Sequence, residues 1–150
     1  MLVPLSTDQV YDGSRPHWVE GDACRPVNAY GASKQEAERV VQAEWGPHSV
    51  VLRSSIIVGP QPRTPVPRTL FLQFVDGALA KGPADFFQDE WRNPVYVQDI
   101  VAIVVQLVRE QAGLAAGQAH PRARTYNMGG PDRLSRVDMA LQVAEARGHG

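Results

Sequence analysis

Cysteine is almost missing from this sequence. Cys24 is the one thiol among 150 residues, so no disulfide can form within the chain, and a reducing compartment, the cytoplasm, is the expected location. With no Cys or His close by in sequence, Cys24 reads as an ordinary thiol rather than a nucleophile. Long apolar runs are missing too. None approaches the ~18 residues of a membrane span, and Met1-Leu2-Val3-Pro4-Leu5 has no basic stretch before it, so it does not read as a signal peptide. An excess of charge of either sign is lacking: 15 Lys and Arg against 16 Asp and Glu leave a net charge of -1. Nothing in that balance calls for nucleic acid or an anionic membrane as partner. The four histidines, His17, His48, His120 and His149, have no ligand spacing, and no metal is expected. Finally, no strand leads into a Gly-rich turn that opens a helix. Gly129-Gly130 comes late in the chain with Pro131 behind it, so a pyrophosphate-binding helix terminus of the usual kind is not expected.

What is present is ordinary globular composition. Hydrophobic residues make up 43% and charged residues 21%, too apolar for a disordered chain and sized for one domain. Leu2 to Leu5 reads as a short buried strand. Asn28 is a helix N-cap, and the helix runs from Ala29 to about Trp45, with Val40, Val41 and Trp45 in an apolar stripe. Ser49 to Arg53 reads as a buried parallel strand, continued or followed by Ile56 to Val58. Residues 60–67, with four prolines, form a loop. A helix is expected over residues 68–81 and a short extended piece over Val95 to Val97. Asp99 then caps a helix to about Gln111, with Ile100, Val101, Val104, Leu107 and Val108 facing the core. Residues 124–128 are the last strand. Ser135-x-x-Asp138 resembles a capping box and opens a final helix through Ala146. This alternation predicts an α/β fold with a mostly parallel sheet. With four strands, two of them short, the sheet would have exposed edges.

The chemistry-bearing pattern is Tyr30-Gly31-Ala32-Ser33-Lys34. Tyr30 and Lys34 are four apart, so a helix sets them on one face. An ammonium beside a phenol stabilises the phenolate, which lets the phenol exchange a proton with a carbonyl or hydroxyl. The three small residues between them let another surface approach closely. YxxxK alone is common by chance and is better explained by an amphipathic helix. Its setting changes that. Ser6-Thr7-Asp8 follows an apolar strand just over twenty residues earlier, and the carboxyl ends of parallel strands are where ligands bind. A hydroxyl there can hold the oxygen that Tyr30 protonates.

Three blocks resemble the extended short-chain dehydrogenase/reductases. They are Ser6-Thr7-Asp8-Gln9-Val10-Tyr11-Asp12-Gly13, then Pro26-Val27-Asn28-Ala29-Tyr30-Gly31-Ala32-Ser33-Lys34 with Ala37-Glu38, then Val51-Leu52-Arg53 with Gly59-Pro60. The first two look most like the dTDP-4-dehydrorhamnose reductase (RmlD-type) branch, which also contains the regulatory beta subunit of methionine adenosyltransferase. The resemblance implies the carboxy-terminal part of a Rossmann-type parallel sheet with substrate-side elements, truncated, with residues 1–150 forming a single partial domain. It implies Thr7, Tyr30 and Lys34 as the catalytic set, with Tyr30 the proton donor and Thr7 orienting the carbonyl. Lys34 would also bind the nicotinamide ribose. Tyr30, Lys34, Ser54 and Ser55 would contact NADP or NAD; Asp8, Trp91 and Arg92 would lie on the substrate side. Arg53 is assigned a packing or ion-pair role. The implied substrate is a 4-keto nucleotide sugar, and a fragment without the Gly-rich motif is expected to be inactive and poorly stable alone. The alternative is a non-catalytic regulatory role toward a methionine adenosyltransferase catalytic subunit, compatible with Asp89-Glu90-Trp91-Arg92.

Overall fold

The structure is a computed structural model that describes residues 1–60, 71–115, 118 and 125–149. In chain order its elements are β1 (Leu5–Thr7), α1 (Ala29–Trp45), β2 (Val51–Ser54), β3 (Ile57–Val58), α2 (Phe71–Leu79), β4 (Trp91–Arg92), β5 (Val95–Tyr96), α3 (Val97–Ala112), β6 (Thr125–Met128), β7 (Leu134–Ser135) and α4 (Arg136–Arg147). Short 3-10 turns follow β1 at Asp8–Val10 and α1 at Gly46–His48. The chain divides into two compact units. One is Met1–Ser55 with Gln98–Met128; the other is Ile56–Val97 with Gly129–Gly150.

The first unit is α/β with a parallel sheet of order β1-β2-β6. Every residue of the central strand β2 is buried, as an apolar strand with parallel neighbours on both sides requires. The register sets Ser6 beside Arg53, Thr7 beside Ser54, and Arg53 beside Asn127. β1 begins at Leu5 rather than Leu2. Leu2 does pair with this strand: its N–H donates to the His48 carbonyl at 2.8 Å and its carbonyl accepts from Val50 at 2.9 Å. Pro4 has no N–H to give and interrupts the ladder.

Helix α1 starts where Asn28 caps it, the Asn28 Oδ1 accepting from the Gly31 N–H at 2.7 Å. The face it buries is not the expected valine stripe. Gly31 and Glu38 are buried, while Val40 and Trp45 are exposed. Seven residues are close to two turns, so Gly31 and Glu38 share a face, and Val40 falls on the opposite side. Helix α3 likewise corrects two expectations. It starts at Val97, so Asp99 sits in the first turn rather than capping it, where its charge suits the helix dipole. Only Ile100 and Leu107 of the expected core face are buried; Val101 and Val108 are exposed.

The second unit holds the pieces that sequence placed least well. Ile57-Val58 and Val95-Tyr96 form their own parallel pair, β3 with β5, rather than extending the larger sheet. Trp91-Arg92 and Leu134-Ser135 form an antiparallel pair that periodicity could not show in two-residue strands. Gly130 lies against this region, where a Cβ would stand 1.9 Å from the Pro94 carbonyl oxygen. Val75 of α2 packs with Ala140 and Val143 of α4 under Phe71, Leu72, Leu79 and Phe86. The expected capping box is formed: Ser135 Oγ accepts from the Asp138 N–H at 3.0 Å, and Asp138 Oδ2 accepts from the Ser135 N–H at 2.8 Å. The proline-rich loop falls almost wholly outside the described residues, as do residues 68–70 of the expected second helix and Arg124 of the last strand. Among the described residues no helix is long and apolar enough to cross a membrane.

Leu52 is fully buried on the central strand. Leu52→Ala is expected to cost about 3 kcal/mol of folding free energy by transfer and cavity terms, read as a fall in urea midpoint at constant slope. A loss below about 1 kcal/mol would contradict its position in the core.

Candidate active site

β1 ends at Thr7, whose buried side chain caps the following 3-10 turn by accepting from the Gln9 N–H at 3.2 Å. Its hydroxyl points its proton at Asp8 Oδ1 across 3.4 Å, a long contact that a better acceptor would displace. Ser54 is the register neighbour of Thr7 on β2. The strand carboxyl ends therefore place two hydroxyls side by side. Ser54 Oγ donates to the Ser55 carbonyl at 2.9 Å, while the Ser55 Oγ is buried with no hydrogen-bond partner among the described residues. A buried orphan hydroxyl is uncommon in a folded protein and asks for a ligand or water.

The first turns of α1 lie against this strand end. Gly31 makes the approach possible, since a Cβ there would stand 2.2 Å from the Gln9 carbonyl oxygen and 2.9 Å from the Pro26 side chain. Asn28 adds a bond from its amide to Gln9 Oε1 at 2.9 Å. Lys34 Nζ donates to the Leu5 carbonyl at 3.0 Å and sits 5.9 Å from the centre of the Tyr30 ring. Tyr30 itself is 51% exposed. The helix thus presents an accessible phenol, an ammonium one turn on and, through the Leu5 contact, both beside the strand that ends in Thr7.

Below lies a charged cluster. Glu38 and Arg53 are 5% and 6% exposed and pair at 2.8 Å, which realises the ion-pair role expected of Arg53. Burial works against the guanidinium charge, but hydrogen bonds and the charge of Glu38, with a further bond to Tyr11, outweigh it and raise the Arg53 pKa. Ser6 Oγ donates to Glu38. Arg53 donates to the Tyr11 hydroxyl at 2.7 Å, which donates to Asn127 Oδ1 at 2.9 Å. Sequence reasoning gave no role to Ser6, Tyr11, Glu38 or Asn127 here. The available signal was Glu38 four residues beyond Lys34, hence on the same helix face. Cys24 carries a thiol that burial pushes up, with the Arg53 charge opposing the shift and the Glu38 charge adding to it, so it stays protonated near neutrality.

The expected substrate-side residues Trp91 and Arg92 belong to the second unit, and the catalytic candidates belong to the first. Trp91 is partly exposed, with the Arg133 guanidinium 4.1 Å from its ring centre. Arg92 and Arg136 both bind Glu90, at 3.0 and 2.6 Å. A cavity of about 500 Å³ in this unit is lined by residues including Ile57, Leu72, Pro94, Met139, Val143 and Arg147. Among the described residues no group of side chains is arranged to hold a metal ion.

Residues 1–149 match the family model described as RmlD substrate binding domain. A dTDP-4-keto-6-deoxy-D-glucose reductase of Streptomyces niveus is 31% identical over 124 residues, covering 79% of this chain and 41% of that protein. Methionine adenosyltransferase 2 subunit beta of Bos taurus is 27% identical over 147 residues, covering 97% of this chain and 41% of that one. The solved dTDP-4-dehydrorhamnose reductase of Bacillus anthracis, in complex with NADP, shares this fold with a TM-score of 0.76 at 22% identity, over 99% of this chain and 48% of that chain. The chain spans less than half the length of the curated relatives it matches.

Two variants probe the charged groups. Glu38→Ala leaves Arg53 buried without its counter-ion and is expected to cost about 3–5 kcal/mol, measured by urea unfolding; a cost near 1 kcal/mol would mean the pair is solvated. In the second unit the Arg136 guanidinium, opposed by burial and aided by Arg92, holds the Glu90 carboxyl below its ordinary range. The folded value is depressed, so the stabilisation is present above the unfolded value of ~4.3 and lost as pH falls through the folded one. Glu90→Gln should therefore flatten the fall in stability below about pH 5; an unchanged acid limb would show that the contact contributes nothing.

Proposed function

Since the chain belongs to the RmlD substrate binding domain family, we propose that it provides the catalytic and substrate-side part of an NAD(P)-dependent reductase acting on a 4-keto nucleotide sugar. The two units serve as parts of one partial domain. The observation that carries this reading is the exposed Tyr30 with Lys34 one turn away, anchored to the strand that ends in Thr7. Tyr30 gives its phenolic proton to the carbonyl oxygen as the ketone becomes an alcohol. Thr7 turns its hydroxyl from the long Asp8 contact to that same oxygen and orients the carbonyl. Lys34 spends one N–H on the Leu5 carbonyl, and an ammonium has three; the others face the phenol and a ribose. Asp8, beside Thr7, contacts the sugar nucleotide; for Trp91 and Arg92 the substrate-side role rests on the resemblance alone.

The nicotinamide, when bound, supplies the hydride. The residues fit it at one end: the orphan Ser55 hydroxyl at the β2 terminus, Ser54 beside it, and Lys34 are the groups that would hold the nicotinamide and its ribose. Nothing in these 150 residues supplies the Gly-rich turn that cradles a pyrophosphate. The chain is accordingly a weak dinucleotide binder and inactive by itself. Its lone cysteine and its chemistry fit a cytoplasmic enzyme of small-molecule metabolism.

A second reading has its own support. The methionine adenosyltransferase subunit aligns over 97% of the chain against 79% for the reductase. In this reading the chain docks on a methionine adenosyltransferase catalytic subunit through the Asp89–Arg92 segment.

Three measurements separate these. NADPH fluorescence quenching should reveal no binding tighter than weak, and micromolar affinity would refute the account of the missing pyrophosphate site. In a protein that joins this chain to a Gly-rich βαβ unit, Tyr30→Phe should abolish ketone reduction; undiminished turnover would remove Tyr30 as proton donor. Retention on immobilised methionine adenosyltransferase, lost on substituting residues 89–94, would establish the second reading, and failure to be retained would end it.

A further inference from the structure

We propose that the buried Ser6–Glu38–Arg53 cluster is a positioning device that sets how far along β1 helix α1 sits, and so where Lys34 and Tyr30 stand relative to Thr7. The catalytic meaning of this position rests on the reductase reading. The positioning itself does not.

Helix α1 grips β1 through two polar side chains one turn apart. Lys34 Nζ donates to the Leu5 carbonyl at 3.0 Å, and Glu38 accepts from the hydroxyl of Ser6, the next residue along the strand. Glu38 also accepts from Arg53 Nε at 3.1 and 3.2 Å and from its terminal nitrogen at 2.8 Å. Arg53 is the register neighbour of Ser6 on β2. It is fixed from the far side by the Tyr11 hydroxyl at 2.7 Å, itself bound to Asn127 of β6. The carboxylate on the helix is therefore held by β1 and β2 directly and referred to all three strands of the sheet.

Such a contact differs in kind from apolar packing between a helix and a sheet. Burial of apolar surface is non-directional, so a Leu or Met at position 38 would tolerate a helix shifted by a fraction of its ~1.5 Å rise per residue. A forked carboxylate–guanidinium pair tolerates little, because its bonds weaken steeply with angle and distance. Buried ion pairs often add no stability over an apolar pair of equal volume. What this one adds is a fixed place for the helix. Tyr30 and Lys34 are eight and four residues ahead of Glu38, on the same helix, and move with it.

The test needs no turnover. The chain holds two lysines, Lys34 and Lys81, so trinitrobenzenesulfonate labelling resolved by mass spectrometry reports Lys34 against Lys81 as internal reference. The double variant Glu38→Leu with Arg53→Met exchanges the pair for apolar side chains. In that variant, with a urea midpoint at or above that of the parent, Lys34 should be labelled about fivefold faster relative to Lys81, the factor for loosening one ordinary hydrogen bond. An unchanged ratio in the folded double variant overturns the proposal, since a purely structural pair would be replaced without moving Lys34. Should the double variant not fold, Ser6→Ala decides: it deletes one hydroxyl, keeps the ion pair, and is expected to raise the ratio about twofold, while no rise refutes the positioning role. Lack of ketone reduction in the joined protein would sink the proposed function and leave the labelling result standing, so the two fail separately.

Discussion

A carboxylate and a guanidinium cannot both leave water unless each supplies nearly all that the other lost. Glu38 and Arg53 meet this condition, with Ser6, Tyr11 and the Glu20 carbonyl taking remaining bonds. Much else in the first unit follows. The helix face that carries Glu38 must lie on the sheet, so the valine on the opposite side is left exposed. The helix must also lie close, and Gly31 is the residue that admits the Gln9 carbonyl beside its first turn. Once the helix is so placed, Lys34 has the Leu5 carbonyl within reach, and Tyr30 precedes the Gly31 that packs against Gln9 in the turn after the strand.

The sheet explains why the reactive groups gather where they do. Parallel strands all end on the same side, so the residue after each buried run falls on one rim. Thr7 and Ser54 are register neighbours there, and the chain turns away at Ser55. Rim positions trade packing for access: backbone groups are still paired, as the Ser55 N–H is with the Met128 carbonyl at 3.0 Å, but side chains need not be. The orphan Ser55 hydroxyl and the long Thr7 to Asp8 contact are both of this sort.

How much of this could be read in the sequence depended on whether a feature is local. The Asn28 cap, the Ser135 capping box, the central strand and the family all come from adjacent residues whose physics needs no partner, and they were legible. Helix faces were less so. A valine at helical spacing counts as core only when something covers it, and Val40, Val101 and Val108 show that periodicity does not say what does. Two-residue strands such as Trp91-Arg92 carry no period at all. The catalytic candidates stood out because Tyr30 and Lys34 are one turn apart in sequence. Glu38 and Arg53 are fifteen residues apart on different elements, and their pairing depends on a register that only the folded sheet defines.

The same distinction bears on the two functional readings. A regulatory subunit needs the fold and a surface; it has no use for a half-exposed phenol beside an ammonium or for an unpaired buried hydroxyl. Such groups contribute little to stability, and an unpaired buried hydroxyl costs on the order of 1–3 kcal/mol. Proteins keep departures of that kind mainly where chemistry requires them. Sequence coverage by the two curated relatives weighs toward the regulatory reading, since it measures how much of the scaffold is shared. The unpaired Ser55 hydroxyl at the end of β2 weighs toward the enzyme, because the scaffold is no better for having it.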